Sequence, residues 1–335
     1  MVGPGRMNIA DVARAAGVSQ TTVSHTLSGK RPVAEATRQR ILALIEELGF
    51  RPSEVARSLR TQRTNTIALI IPDIANPFYP ELARGLQDVV DPSQMQVFIC
   101  NTDGLAHSEA DFLDLMAARG VDGMVTVSFH LKESDFDSVT KAGIALVRLG
   151  DYADEGTSDT VATAQQTGMA EATGYLVGRG RRRIAFIDAP HGLNGLGQRF
   201  DGYCDGLRAA GLPLRTDYVV ETGYTRAGGR TGMATLLQVE PRPDAVLCAN
   251  DLVAIGALDV LRDARIRVPE EMAVVGFDDI EAASMVSPAL TTVRNRAYEM
   301  GRTAGQLLIS RLVDAYDGPK RHIVLPTDLV SRESA

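Results

Sequence analysis

Residues 8–49 read NIADVARAAGVSQTTVSHTLSGKRPVAEATRQRILALIEELG, three amphipathic segments separated by two breaks. In the first, Ile9, Val12, Ala13 and Ala16 fall at i, i+3, i+4 and i+7, one apolar face of a short helix. Asn8 is placed to cap it, with Asp11 at the third helical position, and Gly17 supplies the left-handed residue that stops it. Val18 anchors the turn and Ser19 caps a second helix, Gln20 to about Leu27, with Val23 and Leu27 expected to pack inward. Gln20, Thr21, Ser24, His25 and Ser28 form a polar stripe along that second helix. A third helix is expected from about Glu35 to Leu48, with Ile41, Leu44, Ile45 and Leu48 inward and Gly49 as its stop. Ala34 leaves its N-terminus without a capping side chain. Two short helices joined by a Gly-containing turn make a helix-turn-helix. The amides, hydroxyls and imidazole of the stripe suit base edges in a major groove; a merely solvated helix face is the alternative.

Charge is distributed unevenly along the 335 residues. Residues 1–63 carry 10 Lys and Arg against 5 Asp and Glu, and the remainder carries 25 against 37. A basic head attracts phosphate, while an acidic body stays soluble and off nucleic acid. Between them, residues 51–63 read RPSEVARSLRTQR. Ser53 can cap a helix to about Leu59, which is shorter than the roughly 12–15 residues an isolated helix needs in water. The segment is either a helix that forms only with support or a basic linker.

Beyond Thr66 the pattern becomes α/β. The runs TIALII (66–71), QVFIC (96–100), GMVTVS (123–128), IALVRL (144–149), RIAFID (183–188), AVLCA (245–249) and AVVGF (273–277) alternate with helical stretches. Continuous apolar strands between helices imply parallel sheets covered on both faces. Two such sets, before and after about residue 165, suggest two doubly wound subdomains with a cleft between them. Ligands of such sheets sit at the carboxyl ends of the strands. That places Asp73, Asn76, Phe78 and Tyr79 near the cleft, followed by Asn101, Asp188, Asn250, Asp251, Asp278 and Asp279. Carboxylates, amides and a flat ring suit a polyhydroxylated ligand. Each has a plainer alternative: capping for Asn250 and above all Asp251, a turn for Asp278, core or interface for Phe78, and a structural ion pair for Arg199.

The segment IADVARAAGVSQTTVSHTLSGKRPVAEATRQRILALIEELGFRPSEVARSL resembles the DNA-binding head of the lactose-repressor (LacI/GalR) family. VLCANDLVAIGAL, VVGFDDIEAASMVSPALTTV and VLPTDLVSRES resemble signatures of the same family's body, so the likeness spans essentially the whole chain. It implies a three-helix head over residues 1–50, a hinge over 51–63 and a body over 64–335 of the periplasmic sugar-binding-protein type. One subdomain would take about 64–165 and 295–322, the other about 166–294 and 323–335. The resemblance further implies a dimer reading a palindromic double-stranded DNA operator, most simply as a repressor. Gln20, Thr21, Thr22, Ser24, His25 and Ser28 form the DNA-facing set. Arg57 and Arg60 lie beside phosphates, and Leu59 is the wedge that kinks the centre from the minor groove. Arg199, Asn250 and Asp278 match the family's effector-contacting residues, joined by Asp73 and Phe78 from the strand-end reading. Two positions depart from the family pattern: Ala164 and Gln165 replace a common Asp-Asn pair, and Gly150 stands where an acidic residue often follows the fourth strand.

Other classes fit poorly. No apolar run approaches the roughly 18 residues of a membrane span, and the N-terminus lacks an apolar signal region, so a cytoplasmic protein without membrane partner is expected. There is no GxGxxG after a strand, no P-loop, no HExxH and no GxSxG. The histidines are scattered, and Cys100, Cys204 and Cys248 are far apart and expected to be reduced. No catalytic residue, metal or cofactor is therefore expected. A transported-solute receptor would share the body but needs a signal peptide and has no use for the basic head.

Overall fold

The structure, a computed structural model, describes residues 7–28, 31–50, 63–150, 158–188 and 197–335. The chain divides into two compact units, residues 1–64 and 65–335.

In the first unit, α1 (Ile9–Ala16) begins on a reciprocal cap. Asn8 Oδ1 accepts from the backbone N–H of Ala10 at 2.8 Å and of Asp11 at 3.2 Å, and Asp11 Oδ2 accepts from Asn8 N–H at 3.1 Å. Gly17, at φ +62°, ends the helix. Ser19 Oγ then accepts from Thr22 N–H at 3.1 Å to open α2 (Gln20–Ser28). Helix α3 (Glu35–Glu47) starts at Ala34 with no side-chain cap. Val12, Ala13, Ala16, Val23, Ile41 and Phe50 form the core, with Leu44, Ile45 and Leu48 packed around them. One inward residue differs from expectation. Leu27 is 37% exposed, and Thr26 lies buried with its hydroxyl bonded to Thr22 O at 3.0 Å. Thr26 and Leu27 flank Val23 at i+3 and i+4, and the inward face takes the Thr26 side.

The second unit carries two six-stranded sheets. The first is built from β1 (Thr66–Ile71), β2 (Gln96–Asn101), β3 (Gly123–Thr126), β4 (Ala145–Leu149), β5 (Asp159–Thr163) and β11 (His322–Leu325), in the spatial order β11-β5-β4-β3-β1-β2. The second contains β6 (Ile184–Asp188), β7 (Val219–Glu221), β8 (Ala245–Cys248), β9 (Ala273–Asp278), β10 (Thr291–Arg294) and β12 (Asp328–Val330), in the order β12-β10-β9-β8-β6-β7. All pairings are parallel except β10 with β12. The seven apolar runs are all strands. The five that escaped the sequence are short and partly polar, such as DTVAT in β5, and owe their pairing to neighbours.

Helices α4 (Phe78–Val90), α5 (Ala106–Arg119), α6 (Asp137–Lys141), α7 (Gln165–Gly178), α8 (Gly197–Ala209), α9 (Arg226–Leu236), α10 (Asp251–Asp263), α11 (Glu281–Met285) and α12 (Ala297–Leu312) cover the sheets. Cover is incomplete at the edge strand β2, where Phe98 and Ile99 stand exposed. The chain passes between sheets three times: at Ala164, at Asn295–Arg296 and at Pro326–Thr327. The last passage comes after Leu325 rather than at about residue 323, because His322–Leu325 pairs in parallel with Thr160–Thr163. Helix α12 returns to the first sheet and packs on α4 at near-backbone contact. A Cβ at Gly301 would lie 2.0 Å from Leu82 O, and one at Gly85 2.1 Å from Tyr298 O.

A buried carboxylate ties the first sheet together. Asp159, fully buried at the start of β5, accepts from Arg311 of α12 at 2.8 and 2.9 Å and from the Arg321 side chain and N–H at 2.8 and 2.9 Å. Burial pushes its carboxyl up, but the Arg311 and Arg321 hydrogen bonds override this and hold it down at about 2.

Candidate functional site

In the first unit, α2 presents the polar stripe unevenly. Gln20 and Thr21 are exposed, and Ser24 and His25 half-buried. The Thr22 hydroxyl lies 2.9 Å from Ser19 Oγ and so belongs to the helix cap. The Ser28 side chain and Arg57, Leu59 and Arg60 lie outside the described residues.

In the second unit a cavity of about 450 Å³ opens between the carboxyl ends of the two sheets. This is the size of a small-molecule site, roughly 300–1,000 Å³. Asp73, Phe78, Arg199, Asn250 and Asp278 all line it, as do Asn76 and Tyr79. The other strand-end residues do not. Asn101 holds Ile74 N–H at 2.7 Å, and Asp279 pairs with Arg294 at 2.8 Å and Arg332 at 2.6 Å. Asp188 is buried and is not among the lining residues. Of the two residues able to cap the following helix, Asn250 does so, its Oδ1 accepting from Val253 N–H at 2.8 Å. Asp251, one residue later and fully buried, accepts instead from Ile280 N–H at 2.8 Å and the Thr292 hydroxyl at 2.6 Å. Burial and repulsion from Asp278 push its carboxyl well up.

Arg199 and Asp278 organise the polar wall. Arg199 Nε donates to Gln165 Oε1 at 2.7 Å, one terminal nitrogen donates to Ala249 O, and the other meets Asp278 Oδ1 at 3.4 Å. The guanidinium also lies 4.0 Å from the Phe277 ring centroid. Asp278 accepts from Asn295 Nδ2 at 3.0 Å, again on Oδ1. Asn295 Oδ1 accepts in turn from the Thr163 hydroxyl at 2.6 Å. These bonds form a chain from Thr163 through Asn295, Asp278 and Arg199 to Gln165, joining two of the three passages between sheets. Burial raises the Asp278 carboxyl, opposed by Arg199 and by the Asn295 hydrogen bond. Asp278 sits at φ +109°, a conformation that side-chain-bearing residues rarely adopt and that concentrates at functional sites.

An aromatic pair adjoins this polar wall, the Arg199 guanidinium lying 5.9 Å from the Tyr224 ring centroid. Phe129, in the loop after β3, lies nearly parallel to Tyr224, after β7, with centroids 6.4 Å apart and planes at 20°. The two rings belong to opposite subdomains. The Phe129 loop is held from beneath by buried Glu109 of α5, which accepts from the Phe129 and His130 N–H groups at 2.9 and 3.0 Å. The Tyr224 hydroxyl is buried without a partner among the described residues, and burial raises both Tyr224 and Tyr79 far above the usual phenol range. Both are therefore neutral groups able to donate or accept. Gln165, Phe129, Tyr224 and Asn295 are wall residues the motif reading missed. Tyr224 and Asn295 follow short strands that carried no apolar signal, whereas Phe129 directly follows the run GMVTVS (123–128) and the strand-end rule could have found it.

Among the described residues, no three His, Cys, Asp or Glu side chains are grouped to hold a metal ion. Nor is any helix long and apolar enough to cross a membrane. The three cysteines are free thiols, Cys100 and Cys248 buried and Cys204 partly so.

Comparison with known proteins places this geometry. The model of bacterial regulatory proteins of the lacI family matches residues 8–53, and that of the periplasmic binding protein-like domain matches residues 173–335. The HTH-type transcriptional regulator RegA of Clostridium saccharobutylicum is 35% identical over 98% of this chain and 98% of its own. The ribose operon repressor of Escherichia coli (strain K12) is 35% identical over 90% of this chain and 92% of its own. The solved transcriptional regulator CelR–cellobiose complex superposes with a TM-score of 0.75 at 31% identity, covering 98% of this chain and all of that one. A capped helix-turn-helix followed by two parallel sheets around a polar and aromatic cleft, matched by relatives over nearly their whole length, shows that this chain belongs to the lacI family of bacterial regulatory proteins, which are transcriptional regulators and not enzymes.

Proposed function

We propose that the protein is a cytoplasmic repressor that binds a palindromic operator as a homodimer and responds to a small sugar-like effector held between its two sheets. The single observation that carries the effector reading is the cavity itself. Arg199 and Asp278 provide directed polar atoms, Asn250 lies beside them with its amide bonded to Val253 N–H and Tyr224 O, and Phe78, Tyr79, Phe129 and Tyr224 provide apolar ring faces around them. A pyranose or furanose ring offers the matching pair of features, hydroxyls on its rim and C–H groups on its face. The relatives named for ribose and solved with cellobiose support a carbohydrate.

In this reading Gln20, Thr21, Ser24 and His25 face base edges, with Thr22 and Ser28 at the two ends of the reading helix. Arg57 and Arg60 face phosphates, and Leu59 enters the minor groove. A helix-turn-helix reading a palindrome requires two-fold symmetry, hence a dimer. Effector binding favours one closure of the two sheets over the other. It changes operator affinity only by the difference in its own affinity for the two states. A transported-solute role leaves the capped, basic helix-turn-helix without a purpose.

The test combines a gel shift and calorimetry. The purified protein should retard a selected palindromic duplex as a dimer, and a sugar that gives binding heat should shift that retardation at matching concentrations. A monomer indifferent to every palindrome, or a sugar that binds without altering DNA affinity, overturns the reading.

A further inference from the structure

The electrostatics of the cleft restrict which ligands it can take. Among the described residues lining the cavity, Arg199 is the one cationic side chain, against Asp73, Asp103 and Asp278. Arg199 is not positioned as an anion receptor. Three of its five N–H groups already donate to protein acceptors, Gln165, Ala249 O and Asp278, which leaves one N–H on each terminal nitrogen, enough for a neutral hydroxyl. Its charge is balanced at Asp278, and one face is covered by Phe277.

Helix N-termini are the other common anion sites, and three of those at this wall already give an N–H to a side chain. Asn250 Oδ1 takes Val253 N–H at the start of α10, Thr225 Oγ1 takes Gly228 N–H at 3.0 Å at the start of α9, and Asn76 Oδ1 takes Phe78 N–H at 3.1 Å at the start of α4.

We infer that the cleft takes an uncharged polyhydroxylated ligand and rejects its phosphorylated or carboxylated counterpart, with Gln165 and Asp278 as the specificity-determining residues that withhold Arg199 from an anion. The inference rests on the sugar reading above and adds a charge class to it. Its physical basis is that an anion entering a buried site with surplus acidic charge loses its hydration without gaining a counter-ion.

The experiment is calorimetric titration of the full-length protein with D-ribose against D-ribose 5-phosphate, cellobiose against cellobiose 6-phosphate, and inorganic phosphate alone. The phosphorylated member of a binding pair should be weaker by roughly tenfold or more, the scale of one uncompensated charge. Inorganic phosphate should give no binding that Arg199→Met removes; phosphate held by the basic head is untouched by that change. Gln165→Leu, which frees Nε, should narrow the neutral-to-phosphorylated ratio, and Asp278→Asn should narrow it further. Equal or tighter binding of a phosphorylated sugar, or phosphate binding abolished by Arg199→Met, overturns the inference. An unchanged ratio in both variants removes Gln165 and Asp278 from the role. If no neutral sugar binds, the carbohydrate reading falls, while the phosphate arm still decides the exclusion of anions.

Discussion

Replacing Asp159 with asparagine tests how the first sheet is held together, and its signature is a dependence on pH. Asp159 is fully buried, and four hydrogen bonds from Arg311 and Arg321 join β5 to α12 and β11. Its carboxyl titrates at about 2 in the folded protein, below the unfolded value, so the ionised form favours folding. A depression of nearly two units corresponds to about 2 kcal/mol. That stability is fully present above the unfolded pKa of about 4 and is lost as pH falls through the folded value near 2. The amide introduced by Asp159→Asn cannot titrate and leaves two guanidinium groups uncompensated, which costs about 3 kcal/mol at neutral pH by comparison with other broken buried pairs. In urea melts, wild type should therefore exceed Asp159→Asn by that amount at pH 7. The gap should narrow by about 1 kcal/mol by pH 3 and by about 2 kcal/mol near pH 2. A gap that stays constant from pH 7 to pH 2 would falsify the claim that the ionised carboxylate holds these elements.

Other perturbations address the DNA, the cleft and the packing. Leu59→Ala should weaken binding to the specific operator far more than to nonspecific duplex, measured by competition gel shift; equal loss on both removes the wedge. Asp278→Ala should abolish the effector response while leaving operator affinity in place, and an intact dose–response curve excludes Asp278 from the site. Gly301→Ala, a change that favours an ordinary helix by about 0.5–1 kcal/mol, should here destabilise by about 1–3 kcal/mol, because the added Cβ meets Leu82 O at 2.0 Å. A raised melting temperature in that variant contradicts the close approach of α4 and α12.

Local chemistry makes the head legible in the amino-acid order. The Asn8–Asp11 cap, the Gly17 stop and the Ser19 cap each involve residues within three positions of one another, so their partners are visible in the chain itself. The one misplaced residue, Leu27, shows the limit. Hydropathy favours Leu over Thr26 for the interior, but the direction of the face is set by where α1 and α3 lie.

The cleft divides in the same way. Continuous apolar runs identified seven strands and hence the strand ends that carry Asp73, Phe78, Asn250 and Asp278. What those residues do there depends on groups distant in sequence. Asn250 is the helix cap, and Asp251 is a strut to the Thr292 hydroxyl and the Ile280 N–H, 41 and 29 positions away. Arg199 lies 79 positions from Asp278 and 34 from Gln165, and no spacing rule links them.

The amino-acid order alone thus determined the two-unit organisation, the helix-turn-helix and the α/β character of the body, since helix caps and hydrophobic periodicity act over a few residues. Tertiary structure alone decided which polar groups are spent on each other and which face the cavity. Hydrogen-bond partners and burial are properties of space, and β5, β10 and β11 acquire their places only from the strands beside them.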